Sequence, residues 1–151
     1  MDRFISRTIL AGLLATAVVF AASTERPTPA PAAKPAASDQ YERGKAAVAA
    51  GRYAEAVKAF EEANKVHRNN PDVLNMVAYS YRKTGNLDAA FQYYAQALKL
   101  RPRFPEAREY LGEAHVQAAL GEIETLKSYG QEGDEARKEL IEALKQAVAG
   151  L

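Results

Sequence analysis

Residues 71–104 read PDVLNMVAYSYRKTGNLDAAFQYYAQALKLRPRF, and this stretch decides the fold. It is one period of an internal repeat. Pro71 returns as Pro105, Gly51 as Gly85, Ala56 as Ala90, Phe60 as Tyr94, Ala63 as Ala97 and Val66 as Leu100, each pair 34 residues apart. Gly44, Ala78 and Gly112 carry the spacing through a third unit. A period of this length with small residues at fixed points means stacked pairs of antiparallel helices, none of which can bury its apolar face alone. The small residues let helices approach closely. Tyr53, Phe60, Leu87 and Tyr94 fill the space they leave. Gly51 and Gly85 fall at the turns, where a positive φ costs a glycine little. Asn70-Pro71 is a helix start, a capping side chain followed by proline at the first helical position.

These residues resemble the tetratricopeptide-repeat family. The unit at 71–104 carries Leu74, Val77, Ala78, Tyr81, Gly85, Leu87, Ala90, Tyr94, Ala97 and Pro102 at that family's positions. The unit before it, 37–70, carries Gly44, Gly51, Tyr53, Ala56, Phe60 and Ala63, with Arg68 in place of the closing proline. The resemblance implies an all-α fold, a right-handed superhelix of antiparallel helix pairs. Two repeats are clear, at about 37–70 and 71–104, and the third, at 105–130, is divergent. The domain is expected over 39–149 with six or seven helices and no strand.

The third unit keeps Pro105, Leu111, Gly112 and Ala114, but Arg108 replaces a large apolar residue and His115 a tyrosine. Ala119 then stands at the turn-glycine position, with Gly121 two residues late. Strong helix formers at 118–120 favour one long helix to about Tyr129. The stripes Leu111/Ala114/Ala118 and Val116/Leu120/Ile123 lie on different sides of a straight helix and favour a break. Both readings stay open. Gly130 and Gly133 are expected to break the chain. Asp134 is expected to cap a last helix over 134–149, whose Ile141, Leu144, Ala147 and Val148 would cover the open end.

The N-terminus belongs to something else. Arg3 and Arg7 precede an apolar run at 9–22, followed by Ala21, Ala22 and Ser23. This is the pattern of a secretory signal peptide, expected at 1–21, and it implies a periplasmic or secreted mature chain. An uncleaved membrane anchor is the alternative, although the run is short for a span. With no Cys, a lipid anchor at the cleavage point is excluded, as are disulfides and thiolate metal sites. Residues 22–38 hold Pro27, Pro29, Pro31 and Pro35 with few bulky apolar groups, and read as an Ala/Pro-rich spacer.

The formal net charge is +1, and losing Asp2, Arg3 and Arg7 would leave it near zero. There is no basic excess for a nucleic acid, and no nucleic-acid partner is expected. His67 and His115, the only histidines, have no ligand-spaced partner. No catalytic residue, cofactor or metal is expected; a small-molecule carrier or an enzyme accessory protein is the alternative of another class. The resemblance implies instead a protein or peptide partner on the inner face of the first helices. By register that face should carry Tyr41, Lys45, Asn75, Tyr79, Arg82, Lys83, Glu109 and Glu113. Tyr79 and Arg82, in the middle unit, are expected to face solvent. The Lys/Asn/Arg clamp by which one family variant holds a C-terminal carboxylate is missing, because its positions read Tyr41, Lys45, Met76, Glu106 and Tyr110.

Overall fold

The computed structural model describes residues 37–151. The expected signal peptide and nearly all of the spacer lie outside the described residues. Among those described there are six helices and no strand: α1 (Ala37–Ala49), α2 (Tyr53–Val66), α3 (Pro71–Lys83), α4 (Leu87–Leu100), α5 (Pro105–Ser128) and α6 (Gln131–Ala149). Helix α1 begins at Ala37, so the last two spacer residues are helical.

Each helix packs chiefly on the next in sequence, and α3 also meets α5. In the first pair Phe60 is fully buried among Ala47, Ala56, Ala63, Val73 and Val77. Gly44 is required there, because an added Cβ would lie 2.5–2.7 Å from the Phe60 ring. In the second pair Tyr94 plays the part of Phe60 among Ala78, Ala90 and Ala114. Leu98, Phe104 and Ala107 close the junction of α4 with α5. The turns follow the sequence reading: Gly51 has φ +70° and Gly85 φ +84°. Asn70 caps α3 by accepting from the amides of Asp72 (2.9 Å) and Val73 (3.4 Å), and Asn86 caps α4 through the Ala89 amide.

In the third unit the chain takes the long-helix alternative, with a last helix packed back on it. Residues 105–128 form one uninterrupted helix, longer by eleven residues than α1 or α3 at 24 against 13. Gly130 does break the chain, at φ +63°. Gly133 does not; it is buried in the first turn of α6, which starts at Gln131. Asp134 is no cap and instead pairs with Arg137 at 2.8 Å. Helix α6 is thus the return limb of a long hairpin with α5. It leaves Val116 and Leu120 more than half exposed and Val148 at 70%. Of the two stripes on α5, Ala114 is buried and Leu111 and Ala118 half-buried, whereas only Ile123 of the other stripe is partly covered.

Candidate functional site: the face of the first helices

Helices α1, α3 and α5 open the three units and contribute to one face. Side chains three or four apart on a helix share a side. Asp72, Met76, Tyr79 and Lys83 therefore line up on α3, Glu106, Tyr110 and Glu113 on α5, and Tyr41 and Lys45 on α1. Three tyrosines form a ladder across the units. The Tyr79 ring lies 5.0 Å from Tyr110 on one side and 6.3 Å from Tyr53 on the other, tilted in both cases. Lys83 sits 5.2 Å over the Tyr53 ring. Tyr41 packs edge-on against Phe60 at 5.4 Å, under the Lys45 ammonium.

Arg82 departs from the expectation of a solvent-facing side chain. It is only 8% exposed. Its guanidinium enters the seam between α3 and α5, bridges to Glu113 at 2.5 Å, and lies 5.3 Å and 5.8 Å from the rings of Tyr79 and Tyr110. A charge in that position needs a partner, and Glu113 supplies it. Arg82 thereby locks two rungs of the ladder. Asn75 is also buried, at 4% exposure, and its Oδ1 has no hydrogen-bond partner. Lys45 is held by Glu42 at 3.0 Å, and Glu109 stays exposed next to Tyr110.

Two open pockets adjoin Tyr41. One, of about 300 Å³, is lined by Tyr41, Asp72, Asn75, Met76, Arg101, Phe104, Glu106 and Tyr110. The other, of about 360 Å³, is lined by Ser38, Tyr41, His67, Asn70, Asp72 and Val73. Tyr41 and Asp72 are common to both. Several of these residues escape sequence reasoning. Arg101 lies in the α4–α5 connection, yet it reaches back to Asp72 through two bonds of 2.8 and 2.7 Å and covers the Phe104 ring at 4.5 Å. The hydrogen bond from Arg101 holds the Asp72 carboxyl below the usual carboxylate range. Phe104 occupies the position of Asn70 one period on, so an apolar anchor replaces a polar cap. Burial pushes the phenols of Tyr41 and Tyr110 upward, helped by nearby carboxylates, so both remain hydroxyl donors at neutral pH. The remaining polar groups do structural work: His115 stacks on Phe91 at 4.8 Å and His67 closes α2. Among the described residues no group of three His, Asp or Glu is placed to hold a metal ion, and no helix is long and apolar enough to cross a membrane.

The arrangement is a rigid aromatic face edged by both signs of charge, which suits recognition of another chain. Its scaffold has known counterparts. The chain is 32% identical over 78 residues to the photosystem I assembly protein Ycf3 of Synechococcus elongatus, a stretch covering 50% of this chain and 45% of that one. It is 31% identical over 114 residues to Ycf3 of Rippkaea orientalis, covering 72% and 59%. The chain thus spans only about half the length of these relatives. The crystal structure of the Sgt2 TPR domain from Aspergillus fumigatus superposes with a TM-score of 0.54 at 24% identity, over 77% of this chain and 81% of that one, and so shares its fold. The Tetratricopeptide repeat family pattern matches residues 41–103 and again 76–150, the second match running through both limbs of the long hairpin. With that coverage, the chain belongs to the tetratricopeptide repeat family.

Proposed function

We propose that this protein is a scaffold or adaptor that binds a protein partner through the face of α1, α3 and α5. The observation that carries the reading is the tyrosine ladder of Tyr53, Tyr79 and Tyr110, held in place by Arg82 and Lys83. Rings fixed before binding cost little ordering entropy when a partner lands on them. Tetratricopeptide repeats are typically binding modules without catalysis, and the relatives are named as assembly proteins. That naming supports a second reading on the same face, a factor that brings subunits of a complex together. Export to the periplasm or beyond is part of the proposal. It is supported only by the sequence pattern at 1–21, and membrane contact enters only if that segment is retained as an anchor. N-terminal sequencing of the native protein tests export; a chain starting at Met1 in the cytosolic fraction overturns it. Crosslinking in the native compartment tests binding. Tyr79→Ala with Tyr110→Ala should cut partner capture by roughly tenfold while helicity is kept. Unchanged capture by a folded double variant sinks the reading.

A further inference from the structure

The buried hydroxyl of Tyr94 has no hydrogen-bond partner among the described residues, whereas that of Tyr81 is spent within the fold. Tyr81 gives its hydroxyl to Glu61 at 2.5 Å. The hydroxyls of Tyr41, Tyr53, Tyr79 and Tyr110 engage no hydrogen bond among the described residues. The rings themselves are fixed by Phe60, by one another and by Arg82. The face therefore offers flat apolar surface and unspent donors together. Arg101 and Arg82 are bound to Asp72 and Glu113, while Glu106 and Glu109, which precede Tyr110 on α5, are exposed and form no ion pair among the described residues, although Arg101 lies close enough to Glu106 to feel its charge. Lys83 stands at the opposite edge, beside Tyr53.

We propose that this face binds a proline-rich segment of a partner protein in the polyproline II conformation, with a Lys or Arg at the end that lies over α5. The proposal rests on the protein-binding reading above and names its ligand class. A polyproline II chain has no internal hydrogen bonds, and its prolines carry carbonyl acceptors with no amide donors. It therefore needs what these tyrosines supply, a ring to lie on and a hydroxyl to donate. Aromatic-lined grooves are a recurring receptor for such chains. The ladder from Tyr53 to Tyr110 is comparable in length to one polyproline II turn, about 9 Å, so it takes a single Pro-x-x-Pro unit astride Tyr79. A partner helix fits less well. It satisfies its own carbonyls, would leave the hydroxyls unused, and wants an aliphatic groove, for which Met76 alone is present.

The test is fluorescence anisotropy with the full chain and a labelled peptide of one arginine followed by nine prolines. The comparison peptide replaces the prolines by Gly-Ser repeats. The proline peptide should bind roughly tenfold more tightly or better, and Tyr79→Ala with Tyr110→Ala should remove that advantage. Tyr79→Phe with Tyr110→Phe keeps the rings and the fold, and should weaken binding about threefold or more if the hydroxyls donate. Glu106→Gln with Glu109→Gln should weaken the arginine-bearing peptide and leave an all-proline peptide unchanged. Equal binding of the two peptides, or a Phe variant that binds as the wild type, overturns the proposal. So does an affinity that rises fivefold or more on deleting residues 24–36, because the occupant is then this chain's own prolines. Partner capture that still depends on Tyr79 and Tyr110 while the proline peptide fails to bind would remove this inference and leave the protein-binding reading standing.

Discussion

In the first helix pair a ring, Phe60, fills the hollow beside Gly44, and in the second Tyr94 packs with Ala78. In the third, the equivalent glycine, Gly112, has nothing within 4 Å of the place a Cβ would take. The reason lies one helix further on. The positions that read Gly85, Leu87, Ala90, Tyr94 and Ala97 in the second unit become Ala119, Gly121, Glu124, Ser128 and Gln131 in the third. The turn glycine has gone, so α5 runs through the place where the earlier units turn. The plug has gone too, so nothing draws a second helix back against Gly112. A repeat protein thus closes a unit with about five residues, and losing them lengthens the hairpin without unfolding it. The comparison predicts that cooperativity and core strength reside in the first four helices.

The largest expected effect comes from the plugs. Phe60→Ala or Tyr94→Ala should cost about 3–5 kcal/mol in urea unfolding, whereas Ile123→Ala, in the third hairpin, should cost no more than about 1 kcal/mol. Similar losses at all three positions would break the comparison. Next come the paired glycines. Gly44→Ala should destabilise by about 1–3 kcal/mol, because the Phe60 ring it meets is fully buried and has nowhere to move. Gly112→Ala, in a helix beside open space, should stabilise by about 0.5–1 kcal/mol. Opposite signs at equivalent positions in thermal melts would sharpen the contrast.

Smaller still is the acid response of the Asp72–Arg101 bridge, which ties the second unit's first helix to the connection leading into the third. Its folded carboxyl pKa is depressed, so its contribution is present above the ordinary carboxylate pKa, about 4, and fades as pH falls through the lower folded value. Both side chains are over a third exposed, so Asp72→Asn should cost less than about 1 kcal/mol at pH 7 and nearly nothing at pH 2. A cost that persists undiminished at pH 2 would show that the bridge acts through packing and not through charge.

The paired small and large residues made the first four helices readable, because each function in them recurs at a fixed distance. The third unit was readable only as a loss of register. Choosing between a long helix and a break required knowing whether a second helix returns to cover Val116 and Leu120, and that is a question of packing. Gly133 misled for a related reason. A glycine suggests a chain break, but here it lies inside a helix, because any Cβ would collide with the Leu126 carbonyl. The face of the first helices was legible as a register. Tyr41, Tyr79, Lys83 and Glu113 share that face, and the pairing of Arg82 with a carboxylate of the next unit follows from the register, whereas the burial of Arg82 that comes with it does not.

That contact at Gly133 also sets the mechanics of the far end. It is the one buried residue of α6, and it lies next to the turn. From there to Ala149 the helix extends some ~24 Å, at about 1.5 Å per residue. Beyond Gly133 the helix buries its side chains only in part, as at Arg137, Leu140, Ile141 and Leu144, and a tilt of ~10° about Gly133 would carry the tip at Ala149 through about 4 Å.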